Sequence, residues 1–172
     1  IVDTDMRRPR LHKALRTTNE VGTSRVIMGE SDIDGAVKST DVPNLFIMPC
    51  GPIPPNPAEL LQTEKFAALV RKLEEKFDRI IFDSPPILAV TDAALLSRVT
   101  DGVVLVVRAG RTTRDAIARA KRLLDAVQAR IVGVILNDVN LKNPNYYYHY
   151  YNYYQYKYHD VPPAAGTAEA IE

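Results

Sequence analysis

The sequence predicts an α/β fold, layered, with a mainly parallel sheet flanked by helices. Three observations carry that prediction. Short apolar runs recur along the chain, helical patterns lie between them, and the runs are continuous rather than alternating. A continuous apolar run suits a strand buried on both faces, as in a parallel sheet. Strand, helix, strand, helix at this spacing implies right-handed crossovers.

The elements follow in order. Ile1-Val2-Asp3 reads as the end of a strand. The chain starts there without an initiator Met, so an N-terminal truncation is expected. Leu45 to Met48 is a short strand candidate closed by Pro49-Cys50-Gly51. Ala58 to Lys76 carries Leu60, Leu61, Phe66, Leu69, Val70 and Leu73 near a 3.6-residue period, which predicts one helix. Arg79 to Asp83 is a strand candidate ending at Pro85-Pro86, and Val103 to Val107 and Ile131 to Leu136 are two more. Thr112 to Ala129 sets Ile117, Leu123, Leu124 and Val127 against Arg and Lys, which predicts a second helix. The folded part is expected to span 1–142, with a separate tail over 143–172.

Bulk composition sets limits. A chain of 172 residues can bury one sizeable core, and 46% hydrophobic with 25% charged residues is ordinary for a globular domain. A net charge of +1 gives no case for nucleic acid or an anionic membrane as partner. One cysteine, Cys50, excludes an internal disulfide framework and fits a reducing compartment. Cys50 itself reads as a small buried residue. No apolar run approaches the ~20 residues of a membrane span.

Two constellations place carboxylates where strands end. In Val2-Asp3-Thr4-Asp5-Met6-Arg7-Arg8-Pro9 two aspartates lie two residues apart as strand becomes loop. Ligands of open α/β sheets gather at the carboxyl ends of strands. Carboxylates there can hold Mg²⁺, and one can take a proton from an attacking hydroxyl. The plainer reading is that Asp5 caps the short helix beginning near Pro9. The second constellation is Arg79-Ile80-Ile81-Phe82-Asp83-Ser84-Pro85-Pro86. An Asp closing an apolar strand is the Walker B arrangement, whose carboxylate supports a nucleotide's Mg²⁺. Its plainer reading is a turn Asp before two prolines. Both aspartates sit at the C-terminal end of a strand, so a parallel sheet brings them to one edge. That joint placement favours a functional reading: Asp3, Asp5 and Asp83 as catalytic, with Asp3 and Asp83 toward metal.

Further candidates are less specific. Asn137 follows Gly133-Val134-Ile135-Leu136, where its amide can offer a donor and an acceptor to an adenine edge, or simply begin a turn. Arg7 and Arg8 lie beside the aspartate pair, where they can contact phosphate or a neighbouring subunit. His12 reads as structural.

All nine tyrosines fall between residues 146 and 158: Tyr146, Tyr147, Tyr148, Tyr150, Tyr151, Tyr153, Tyr154, Tyr156 and Tyr158. An aromatic low-complexity segment, a stacking platform for single strands and an aggregation-prone tail are alternatives. Lys157 is the one basic residue in the cluster, which argues against a nucleic-acid groove. Phosphorylation gives the phenols a use. Each phosphate adds about −1.5 to −2 charge, so five or six add roughly −10 and can push packed subunits apart. Asp160 to Glu172 reads as a disordered end. The phosphate-binding pattern G-x-x-x-x-G-K-[ST] does not occur in the sequence. It is expected upstream of Ile1, and without it a triphosphate loses its main cradle.

These residues together resemble a known family. Val2 to Pro9 looks like the Walker A′ motif of the bacterial tyrosine kinases that govern capsule and exopolysaccharide synthesis. Gly51-Pro52-Ile53-Pro54-Pro55-Asn56-Pro57-Ala58-Glu59-Leu60-Leu61 resembles that family's Pro-rich loop and following helix. Phe82-Asp83-Ser84-Pro85-Pro86, with Thr91-Asp92-Ala93 beyond, is similar to its Walker B region, and the tyrosine tail completes the pattern. The resemblance implies a P-loop NTPase-like fold and an ATP- and Mg²⁺-dependent tyrosine autokinase. It implies that one of Asp3 and Asp5 assists Mg²⁺ while the other orients or deprotonates the tyrosine, and that Asp83 supports the metal. The tyrosines would be the acceptors; from their positions alone, Arg7 and Asn137 are the nucleotide-binding candidates. It also implies trans-phosphorylation within a ring-like homo-oligomer. The expected setting is cytoplasmic, with the parent at the inner membrane beside a membrane activator segment or polysaccharide polymerase and export machinery. Lacking the phosphate loop, the 172-residue chain alone is expected to be a poor kinase and a good substrate. The alternatives are a MinD/ParA-like ATPase, with water as acceptor, and an interaction module acting through the aromatic tail.

Overall fold

The computed structural model describes residues 1–140. The expected domain boundary at 142, the tyrosine cluster and the Pro/Ala end all lie outside those residues.

Strand β1 (Val2–Asp3) pairs in parallel with β4 (Phe82–Asp83), while β2 (Lys38–Ser39) pairs antiparallel with β3 (Phe46–Ile47). A parallel bridge from Val2 to Met48 joins β1 to the end of β3. Strands β5 (Val103–Arg108) and β6 (Ile131–Asn137) form a second parallel pair, linked by helix α7 (Arg114–Ala126). This is the expected α/β class, with parallel pairing except at the β2–β3 hairpin.

The predicted 58–76 helix is two helices, α4 (Pro57–Leu60) and α5 (Glu64–Glu74). The break has a local cause. Thr63 is extended and its hydroxyl accepts from the Phe66 N–H at 3.2 Å, which starts α5 afresh. Phe66, Leu69, Val70 and Leu73 then fall on one buried face of α5. They meet Val2, Met6, Ile27, Met48, Leu61 and Leu96 in the main core. Phe66 also meets Phe82 edge-on, with ring centroids 6.1 Å apart. In α7, Thr113 caps through the Ala116 N–H, and Ala120 and Leu124 are buried.

One expectation fails. The continuous apolar runs of β5 and β6 are not buried on both faces: Val106 is 57% exposed and Val134 58%. The reason is pairing, since among the described residues each of these strands has only the other in its ladder. Short helices α1 (Leu11–Ala14), α2 (Thr23–Met28), α3 (Ile33–Ala36) and α6 (Asp92–Leu96) complete the fold.

Candidate functional site

The site forms where β1 and β4 end side by side. Asp3 and Asp83 are register partners in the two parallel strands, and the Thr4 N–H donates to the Asp83 carbonyl at 2.9 Å. The Thr4 hydroxyl makes a further bond to the same carbonyl. The two aspartates singled out in the sequence therefore share one sheet edge, with Asp5 one turn of loop beyond.

Asp3 is fully buried, while Asp5 and Asp83 are half-buried. The Asp3 carboxylate accepts from the Asp5 N–H at 3.1 Å and from the Leu11 N–H at 3.3 Å. The Asp5 carboxylate accepts from the Arg7 and Arg8 N–H groups at 3.2 and 3.0 Å. The helix at residue 11 thus takes its carboxylate from Asp3, while Asp5 folds its own loop. Asp5 is not the cap of α1, whose N-cap position is Arg10 with no side-chain capping bond.

Negative charge gathers at this edge. Burial, and then the neighbouring Asp83, push the Asp3 carboxyl up to about 6, and Asp5 adds to the shift. Burial and Asp5 also raise Asp83. Cys50, buried nearby, is pushed up to about 12 by burial and by Asp3 and Asp5, so its thiol stays protonated and inert. Two strand-end carboxylates side by side, Asp3 and Asp83, are the kind of donors a hard cation such as Mg²⁺ takes. Among the described residues no group of three His, Cys, Asp or Glu could by itself hold a metal ion. Mg²⁺ suits this arrangement, since it is commonly held by one or two carboxylates together with phosphates and water.

The raised carboxyls carry a stability consequence. The folded state holds the Asp3 proton to about 6 and the ordinary value is 3.8, so the unfolded chain ionises first as pH rises. Stability from this group is therefore full below pH ~4 and falls through pH ~6, by on the order of 2 kcal/mol. Urea unfolding in EDTA checks this: the midpoint of the unsubstituted chain should drop between pH 4.5 and 7. Asp3→Asn should flatten that drop, and adding Mg²⁺ at pH 7 should recover part of it.

The remaining candidates are placed as follows. The Arg7 guanidinium grips Asp92, with Nε to Oδ2 at 2.9 Å and its NH2 group to Oδ1 at 3.0 Å. Asn137 ends β6 exposed, its side-chain oxygen accepting from the Asp138 N–H at 2.8 Å. The described structure does not join Asn137 to the aspartates through any hydrogen-bonded ladder. An apolar cavity of about 170 Å³, lined by Ile1, Val37, Phe46, Leu73, Phe77 and Ile80 among others, includes none of Asp3, Asp5 or Asp83.

Sequence reasoning missed several supporting residues. The Thr23 hydroxyl donates to the Asp3 carbonyl at 2.9 Å, buried beneath the site. Asn19 clamps Gly51 through both its N–H and its carbonyl, each at 2.9 Å. Asp92 is fully buried behind Arg7. The available signals were a Gly-Thr-Ser at a helix start and an acid in the first turn of α6, both too common to single out.

A parallel α/β edge with carboxylates at two neighbouring strand ends is consistent with the P-loop NTPase fold class, and comparison narrows it. No protein-family model matches the chain. The tyrosine-protein kinase YwqD of Bacillus subtilis is 39% identical over 150 residues, covering 87% of this chain and 63% of that protein. The tyrosine-protein kinase Wzc of Salmonella typhi is 35% identical over 146 residues, covering 85% of this chain and 20% of that one. The VpsO kinase domain superposes with a TM-score of 0.77 at 31% identity, covering 81% of this chain and 69% of that one. The kinase domain of the Escherichia coli tyrosine kinase ETK gives 0.79 at 30%, covering 83% and 56%. MinD from Pyrococcus horikoshii, solved with Mg-ADP, gives 0.62 at 20% identity, covering 78% and 55%, a likeness of fold alone. The chain belongs to the bacterial tyrosine kinase family and has its P-loop NTPase fold. It spans 63% of the length of YwqD.

Proposed function

We propose that this chain is the catalytic-edge and acceptor part of an ATP- and Mg²⁺-dependent protein-tyrosine autokinase. The observation that supports it best is the Asp3–Asp83 register, with Asp5 adjacent, in a chain 39% identical to YwqD. A tyrosine oxygen attacks the γ-phosphorus of ATP, the bond from that phosphorus to the β,γ-bridging oxygen breaks, and ADP leaves. The phenolic proton passes to Asp3 or Asp5. Asp3 and Asp83 would hold Mg²⁺, which when bound offsets charge on the phosphates. Positioning and charge complementarity then supply most of the rate.

The acceptors are Tyr146 to Tyr158 of a neighbouring subunit in a ring-like homo-oligomer. Accumulated phosphate loosens that ring and so regulates capsule or exopolysaccharide synthesis or export. The setting is the cytoplasmic face of the inner membrane, beside a membrane activator segment or the polysaccharide machinery. Among the described residues no helix is long and apolar enough to cross a membrane.

The test pairs two chains. One is extended at its N-terminus to carry a G-x-x-x-x-G-K-[ST] loop; the other is the 172-residue chain alone. With Mg-ATP, phosphotyrosine mass spectrometry should find label between Tyr146 and Tyr158 on the short chain only when the extended chain is present. ATP hydrolysis by the extended chain with no tyrosine labelled would replace the kinase with an ATPase.

A further inference from the structure

Arg7 is bound twice, and the two bonds run to different parts of the fold. Its main-chain N–H donates to the Asp5 carboxylate at 3.2 Å. Its guanidinium makes a two-pronged pair with Asp92 at 2.9 and 3.0 Å. Asp92 is fully buried at the first turn of α6, which follows the Ser84-Pro85-Pro86 loop leaving Asp83. The bonds close a circuit. Asp83 leads through its loop to Asp92, Asp92 holds Arg7, the residue 7 amide holds Asp5, and the Asp5 amide holds Asp3 at 3.1 Å. Asp3 is in register with Asp83.

We infer that the Arg7–Asp92 pair is a positioning clamp, which fixes the Asp5 loop against the strand end of Asp83. This rests on the kinase reading for its consequence in catalysis, and on geometry alone for its effect on the loop. A planar fork on a carboxylate fixes direction as well as distance, which a Lys in the same place does not. The pair also commits the Arg7 charge to a buried partner. The fork seats the guanidinium on Asp92, not on Asp3 or Asp83. A purely structural ion pair would stabilise the whole domain and leave the Asp5 loop no looser than the rest.

Amide exchange followed by NMR on the 172-residue chain tests the clamp without any activity. In Arg7→Gln and Asp92→Asn the amides of Asp5, Arg7 and Arg8 should exchange about tenfold faster, with α5 unchanged. Arg7→Lys, which keeps the charge and packs a long stem, guards against failure to fold and should fall between. In the extended chain with Mg-ATP, kcat for tail labelling should drop about tenfold while KM for ATP stays within about twofold. The double variant should be no worse than the poorer single one. Unchanged protection at residues 5–8, or loss shared equally with α5, would overturn the clamp. Altered exchange with unaltered kcat would overturn its catalytic role. If the unsubstituted extended chain labels no tyrosine, the kinase reading fails and the exchange result still decides the clamp.

Discussion

Asp83→Asn in a chain carrying the phosphate loop should lower phosphate transfer to Tyr146–Tyr158 by about 10²- to 10³-fold, the scale of losing one group that stabilises developing charge. The substitution is nearly isosteric, and Asp83 is half-buried with its backbone fixed by the β1 ladder. Burial raises the Asp83 carboxyl, so its negative charge costs the fold something that Asn does not. Thermal stability without Mg²⁺ should therefore hold or rise while activity falls. Phosphotyrosine mass spectrometry beside a melting curve reads both. Activity and stability falling together would mean that Asp83 holds the sheet edge rather than the chemistry. Full activity in a stable variant would remove it from the site.

That opposition between stability and function was partly legible in the sequence. Asp83 closes an apolar strand, and Asp3 ends another, so a parallel sheet had to bring them near one another; the observed register does so residue for residue. The helix pattern over 58–76 hid its own break, because Leu60, Leu61 and Phe66 keep helical spacing across a cap made by the Thr63 side chain. The continuous runs of β5 and β6 read as doubly buried, yet burial depends on neighbours that a run of residues does not name. Asp92 was visible only as one member of a Thr-Asp-Ala triplet. Its partner Arg7 is 85 residues away, and no local pattern encodes such a pair.

Gly22 is the strongest case of a residue whose importance lies wholly in a distant neighbour, and Gly22→Ala should be the most damaging single change to the fold. Its backbone is extended, with φ of 180°, so Ala adopts the conformation without strain. The obstacle is space. A Cβ there would lie 2.0 Å from the Pro49 carbonyl oxygen and 2.5 Å from the Gly51 nitrogen, both backbone atoms. The approach is close because the next residues bond across it. The Thr23 and Ser24 N–H groups donate to the Pro49 and Cys50 carbonyls, each at 2.8 Å. The Ser24 hydroxyl donates to the Pro52 carbonyl at 2.7 Å. Opposite, Gly51 sits at φ +80°, a left-handed conformation that disfavours side chains, with Ser24 Oγ 2.8 Å from where its Cβ would be. Making room at Gly22 therefore parts several bonds at once, including the buried Thr23 hydroxyl bond to the Asp3 carbonyl. The expected loss is about 3 kcal/mol or more, since buried donors and acceptors lose their partners. Urea unfolding of the 172-residue chain should show it as a large drop in midpoint or as no folded baseline. Lys38→Ala, at an exposed pair with Thr18, should change the midpoint little. A Gly22→Ala midpoint close to that of the unsubstituted chain would mean that α2 can move off the Pro49–Pro52 turn without loss. The Asp3 carbonyl would then need no support from Thr23, and the site would stand on the ladder of β1 with β4 and Met48.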